Sequence, residues 1–194
     1  MLDESLGEPR RLTAALVAAA DTEVTNVVDL GAGTGSYLGA LLEAFPAARG
    51  TWVDVSERMR DLARDRLGRE VRYVVGDVVE VGSLGLDPAQ VVVTSRVVHD
   101  LPPETHQSFY ESVFALLEPG GFFFNLDHVA VPPDWQGRYG RVRERRKEPL
   151  SPHRDHPLVP IREHLARIEA AGFEPPDVPW RTFGTALLAA RRPA

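Results

Sequence analysis

Four side chains have types and positions suited to gripping a nucleoside and moving a proton: Asp29, Asp54, Asp77 and His99. Each acid closes an apolar run that reads as a strand. The first run is Val27-Val28-Asp29-Leu30-Gly31-Ala32-Gly33-Thr34-Gly35. A strand-to-helix turn with alternating glycines lets backbone N–H groups and the next helix N-terminus approach a polar ligand, at no steric cost for positive φ. Ser36 is placed to cap that helix. The second run, Thr51-Trp52-Val53-Asp54-Val55, sets Asp54 about 20 residues beyond Gly33, the offset at which a carboxylate in doubly wound nucleotide sites accepts ribose hydroxyls. Capping of the helix over Glu57–Leu67 by Asp54 or Ser56 is the competing reading. The third, Val71-Arg72-Tyr73-Val74-Val75-Gly76-Asp77-Val78, adds a further acid at the carboxyl ends of successive strands, the edge where open α/β sheets bind ligands.

The loop departs from the dinucleotide fingerprint G-x-G-x-x-G, because it reads Gly31-x-Gly33-x-Gly35 with Ser36 in the last glycine's place. With Asp29 inside the strand end, it resembles motif I of the class I S-adenosylmethionine-dependent methyltransferases. That resemblance covers residues 24–190 and implies S-adenosyl-L-methionine as cofactor. It implies that Asp29 stabilises the methionine part, that Asp54 meets the ribose and that Asp77 meets the adenine amino group. The cofactor-binding set it implies is Asp29, Gly31, Ala32, Gly33, Gly35, Asp54, Val55, Met59, Gly76, Asp77, Val78 and Ser95. Further on, Val97-Val98-His99-Asp100-Leu101-Pro102-Pro103-Glu104 resembles the His-Asp-Trp stretch of small-molecule O-methyltransferases, where the matching histidine is implied to deprotonate the acceptor hydroxyl. Leu101 replaces the Trp, and these residues hold no counterpart of that group's large N-terminal dimerisation domain. Two readings therefore stand for His99, general base or structural helix-entry residue. An unperturbed imidazole titrates near neutral pH, which suits the first.

At 194 residues, one domain over 1–194 with a substantial core is expected. A net charge of −6 and an isoelectric point near 5.5 argue against a general nucleic-acid footprint, so a small-molecule methyl acceptor is the expected partner. An Asp/Asn-Pro-Pro-Tyr signature of nucleic-acid amino-methyltransferases is missing from the end of the fourth strand, where Thr94-Ser95-Arg96-Val97 stands. Without cysteine there is no thiolate metal site, disulfide or cysteine nucleophile. No stretch approaches the ~18 apolar residues of a membrane span and no signal peptide is visible, so a cytoplasmic location is expected.

Strand candidates at 24–30, 49–55, 70–75, 90–95 and 122–127 alternate with helices at 37–44, 57–67 and 104–117, after an opening helix within 1–22. A further helix runs from Pro160 to Gly172, and strands at 173–178 and 182–190, joined by a turn containing Pro179, close the chain. Such alternation specifies an α/β, Rossmann-like three-layer sandwich with a mostly parallel sheet. The resemblance implies seven strands in the order 3-2-1-4-5-7-6, the last antiparallel.

The proline-rich insert 130–160 is expected to be irregular, and serves either as a substrate cover over the carboxyl edge or as a plain surface connection. Within it Arg138, Arg141, Arg143, Arg145, Arg146 and Lys147 face only Glu144; a solvated helix face, an anion-binding role and nucleic-acid contact are the readings of this run. Asp127-His128 and the cluster His153, Asp155 and His156 are further polar groups near the expected pocket, with substrate binding or loop hydrogen bonds ahead of metal ligation. The leading function is methyl transfer to a small molecule, at oxygen ahead of nitrogen. Its rivals are an NAD(P)-dependent oxidoreductase, which shares the strand-glycine-acid logic, and a non-catalytic S-adenosylmethionine-binding module.

Overall fold

Val-rich segments can lie in the middle of a parallel sheet only if helices cover both faces. The computed structural model, which describes residues 6–20, 22–68, 70–146 and 156–194, has this arrangement. Strands β1 (Asn26–Leu30), β2 (Arg49–Asp54), β3 (Arg72–Val75), β4 (Ala89–Ser95) and β5 (Leu117–His128) pair in parallel. With β6 (Asp177–Thr182) and β7 (Thr185–Arg191) they form one sheet in the order β3-β2-β1-β4-β5-β7-β6, and β7 runs antiparallel to both neighbours.

The two-residue period of the strands divides the core in two. Val27, Val91, Val93, Phe124 and Leu126 pack with buried residues of α1 (Gly7–Ala18), α2 (Ser36–Ala44) and α3 (Glu57–Leu67). On the other face, Val28, Val92 and Phe123 pack with α4 (His106–Leu116) and α6 (Ile161–Ala170). α5 (Pro133–Arg146) buries no residue fully and lies outside both cores.

Several sequence expectations need correction. Residues 103–105 form a separate 3-10 turn ahead of α4, because Pro102 and Pro103 cannot enter the interior of an α-helix. The strand expected at 122–127 is longer, since β5 begins at Leu117 and takes in Pro119-Gly120-Gly121. Pro179 is not in the final turn: it lies inside β6, between Asp177 and Trp180 where the register shifts, and β6 is an edge strand in which a missing N–H is tolerated. The turn is at Phe183–Gly184, and Phe183 has φ 48°. The insert is less irregular than its prolines suggest, because no proline occurs between Asp134 and Arg146 and this stretch continues α5. His153, Asp155 and Lys147 lie outside the described residues.

Beneath the carboxyl edge, the Tyr110 hydroxyl lies 2.7 Å from His164 Nδ1, and the His164 ring stacks on His106 at 5.4 Å. Burial, reinforced by the charge of His106, brings the His164 pKa down to about 4 from 6.5. Between those values the unfolded chain binds the proton and the folded one does not, so this site's stability contribution is complete above about pH 6.5 and is lost as pH falls towards 4. His164→Gln should therefore lose less unfolding free energy than the wild type between pH 7 and pH 4.5, as read by urea denaturation at each pH; parallel losses would rule His164 out as the source.

Candidate active site

The glycine loop is held from β2. Gly31 and Ala32 N–H both donate to Val53 O, at 2.8 and 2.9 Å. Gly33 N–H donates to Asp54 Oδ2 at 2.9 Å, while the buried Trp52 indole Nε1–H donates to Gly33 O at 2.9 Å. Both polar backbone groups of Gly33 are thus bonded to side chains of β2.

Two of the loop glycines are required for different reasons. Gly31 has φ 69°, and a Cβ there would lie 2.2 Å from Val97 Cγ2. Gly33 has φ 51°, and a Cβ there would meet nothing within 4 Å. The first glycine makes room for protein, and the second borders open space at the carboxyl edge. Gly35 rather than Ser36 occupies the N-cap of α2, in the left-handed conformation; Ser36 is the first helical residue, and its Oγ lies 3.1 Å from Thr34 Oγ1.

Asp29 lies beneath this loop. Only 1% exposed, it accepts Leu38 N–H at 3.1 Å on Oδ2, which ties β1 to α2, and Oδ1 is buried without a hydrogen bond. Burial lifts its pKa to about 7, against the Leu38 bond and the charge of Arg10, with Asp54 adding a smaller upward push.

Asp54 is half-buried at the end of β2, and both its oxygens are engaged: Oδ2 by Gly33 and Oδ1 by Ser56 N–H at 2.9 Å. Ser56 in turn caps α3, its Oγ accepting Met59 N–H at 3.3 Å. Asp54 therefore serves the loop and the helix entry together. An ionised carboxylate has about four acceptor positions, so these two bonds leave capacity for a diol.

Asp77 is exposed past β3, where Oδ1 accepts Val79 N–H at 3.0 Å and caps the 3-10 turn Val78–Ser83. Gly76 N–H donates to Asp54 O at 3.1 Å. Val55, 65% exposed, with Val75 and Val79, presents apolar side chains to solvent at this edge; Val78 instead faces the core, and Met59 is half-buried in the first turn of α3. Ser95, at the end of β4, has a buried Oγ without a hydrogen bond.

His99 lies in the 3-10 turn Val98–Asp100 beyond β4, with its side chain only 8% exposed. Its Nδ1 is 2.5 Å from Asp127 Oδ1, and its backbone N–H donates to Asp127 Oδ2 at 3.1 Å. Nε2 lies 3.1 Å from the exposed carboxylate of Asp100. Burial alone would raise the Asp127 pKa, but the hydrogen bond and charge of His99 and the N–H of His128 outweigh it and hold this carboxyl below its ordinary range. The His128 ring meets His99 edge-on at 4.8 Å.

A cavity of about 200 Å³, lined in part by His128, opens between α5, β5 and the β6–β7 turn. A larger hollow of about 470 Å³ lies between the 3-10 turn after β3 and α4, reaching Pro88 at the start of β4 and Leu116 at the end of α4. It reaches the amino edge of the sheet at Pro88 and takes in Val81 and Gly82 of the turn that Asp77 caps, but none of the glycine loop, Asp54 or His99.

Of the groups singled out in the sequence, the fold brings the glycine loop, Asp54, Val55, Gly76 and Asp77 to one edge, and sets His99 past β4 on the same edge. Two partners escaped the sequence reading. Trp52 stood in the second run with no role assigned, and its bond to Gly33 depends on pairing between β1 and β2 that no local pattern displays. Asp127 was visible as a lone acid ending a buried strand, but its pairing with His99 spans 28 residues.

Residues 27–121 match the family model described as "Methyltransferase domain". The chain is 32% identical over 118 residues to carboxy-S-adenosyl-L-methionine synthase of Chromohalobacter salexigens, covering 59% of this chain and 44% of that protein. It is 27% identical over 135 residues to mitomycin biosynthesis 6-O-methyltransferase of Streptomyces lavendulae, covering 66% of this chain and 38% of that one. Among solved structures, an O-methyltransferase family protein from Burkholderia thailandensis superposes with a TM-score of 0.70 at 19% identity, over 100% of this chain and 59% of the other. The chain spans less than half the length of the curated relatives it matches. With this strand order and this family match, the chain carries a class I S-adenosylmethionine-dependent methyltransferase domain.

The two loop glycines should respond differently to alanine. Gly33→Ala should cost about 1–2 kcal/mol, the strain of a left-handed residue, whereas Gly31→Ala must also push Val97 aside and should cost several kcal/mol. Chemical denaturation of both variants checks the ranking, which equal losses would contradict.

Proposed function

We propose that the chain transfers a methyl group from S-adenosylmethionine to a hydroxyl oxygen of a small molecule. Methyl transfer from a sulfonium has a good neutral leaving group, so the protein's work is to align donor and acceptor and to remove the acceptor's proton.

The residues present fit the cofactor. Gly33 faces open space, the unfilled acceptor positions of Asp54 suit the ribose diol, and exposed Val55 and Val75 offer apolar surface to the adenine beside the Asp77 carboxylate. In this reading Asp29 and Trp52 act on the cofactor indirectly, by fixing α2 and the loop.

The observation that carries the hydroxyl reading is the His99–Asp127 pair. A buried carboxylate on Nδ1 fixes the ring and stabilises the imidazolium formed when Nε2 takes a proton. Asp100, exposed and on a short turn, lies against Nε2 and must give way to the acceptor. The names of several relatives support an oxygen acceptor, among them the mitomycin 6-O-methyltransferase and a malonyl-[acyl-carrier protein] O-methyltransferase.

The Asp100 contact also favours a second reading, in which His99 is clamped between two carboxylates as a structural element and the acceptor is a neutral nitrogen needing no base.

Two variants test these assignments. Asp54→Ala should weaken S-adenosylhomocysteine binding by more than tenfold in calorimetry, the loss of a charge-assisted ribose contact; unchanged affinity removes Asp54 from the site. His99→Ala should lower the single-turnover rate on a hydroxyl acceptor by roughly 10²–10⁴ while leaving cofactor affinity intact. A full rate with an unchanged pH profile would leave His99 structural.

A further inference from the structure

Building on the methyl-transfer reading above, we infer that Arg96 selects the methyl acceptor by binding an anionic group on it, a carboxylate or a phosphate ester. Arg96 directly follows the last residue of β4. In the order β3-β2-β1-β4-β5-β7-β6 the winding reverses between β1 and β4, and open α/β sheets bind ligands outside the carboxyl ends of their strands at that point.

The guanidinium is available there. Arg96 is exposed, and among the described residues its side chain has no hydrogen bond, ion pair or ring contact. Asp100, the exposed acid of the turn that follows, lies 3.1 Å from His99 Nε2 instead. An arginine without a carboxylate partner stands out in a chain with 28 acidic residues against 22 basic ones. The adjoining Ser95 has a buried Oγ with no hydrogen bond, so two consecutive residues at the end of β4 carry unmet polar capacity.

The backbone gives an independent reason. Arg96 has φ 58°, and Phe183 is the other non-glycine residue with positive φ among those described. A Cβ crowds the backbone in this conformation, which glycine adopts freely and asparagine tolerates. Arg96 is held in it from both sides: its N–H donates to Leu126 O of β5 at 3.0 Å, and the next residue, Val97, fills the space beside Gly31. Exposed and unpaired, the Arg96 side chain returns nothing to the fold that would offset this strain. Strained positions of this kind cluster at ligand sites.

Position favours the acceptor over the cofactor as the owner of the anion. The Arg96 backbone is bonded to β5, the strand that carries Asp127, and His99 follows three residues later. Asp54 and Asp77, by contrast, stand at the ends of β2 and β3, on the other side of β1. The planar fork of a guanidinium matches a carboxylate or phosphate through two parallel N–H donors.

The test uses the full chain saturated with S-adenosylhomocysteine, with acetate, inorganic phosphate and neutral acetamide as probes at constant ionic strength. Dissociation constants are read by NMR from the backbone amides of Arg96 and Val97. At least one anion should bind about tenfold or more tightly than acetamide, as expected for a charge-assisted contact, and which anion does so identifies the group. Arg96→Asn should abolish that preference. Because asparagine suits the left-handed conformation, this variant should unfold in urea at the wild-type midpoint or above it. Arg49→Gln, which removes an exposed charge at the amino edge of β2, should retain the preference. Equal affinity for the three probes in the wild type, no saturable binding of any, or a preference that survives Arg96→Asn would overturn the inference. So would a lowered urea midpoint in Arg96→Asn, which would make the side chain a part of the fold, or a tenfold loss of its affinity for S-adenosylhomocysteine, which would give the cation to the cofactor's own carboxylate. S-adenosylhomocysteine binding to the wild type, measured first, separates the two levels: its failure defeats the cofactor reading, whereas binding without anion preference defeats the Arg96 assignment alone.

Discussion

Four hydrogen bonds from three consecutive residues of β2 fix the glycine loop. Val53 O accepts two loop N–H groups, the Asp54 carboxylate takes the N–H of Gly33, and the Trp52 indole donates to its C=O. Glycine-rich backbone loses more freedom on folding than any other, so a loop of this composition is ordered only where its surroundings over-determine it. Here the neighbouring strand does so, and the consequences spread outward. The loop directs α2, Asp29 anchors α2 to β1 from below, and Asp54 passes the same constraint to Ser56 and α3. A site built this way is formed before any ligand arrives.

The acceptor side follows a different logic. His99 is set on a short turn and owes its orientation to one buried carboxylate, Asp127, on the adjacent strand. Next to it α5 contributes no residue to either core and is attached through aromatic and guanidinium contacts to Phe183. In the function proposed above, a well-fixed cofactor edge beside a helix that enters neither core suits a fold whose donor is constant and whose acceptor is variable.

The strand order followed only from the family resemblance, but the strands, the glycine loop and the edge acids that carry it were legible because each leaves a local mark: an apolar run, a glycine spacing, or an acid where a run stops. The cavity beneath α5 was not, since it arises from Phe183, His128 and Arg143, which are distant in sequence and individually unremarkable. Pro179 misled for a related reason. Its meaning depends on whether its strand is central or at the edge, and that is a property of the sheet rather than of the segment. Asp29 shows the limit from the other side, because motif and position were right while the structure buries its side chain under the loop.

The central claim is that the cofactor lies against the loop as β2 presents it. A backbone amide NMR titration with S-adenosylhomocysteine tests this most directly. The account predicts saturable shifts concentrated at Gly33, Val55 and Asp77, with the 3-10 turn Val78–Ser83 following through Asp77. Saturable shifts centred on α4 and Gly85–Pro88, with Gly33, Val55 and Asp77 unmoved at saturation, would contradict it.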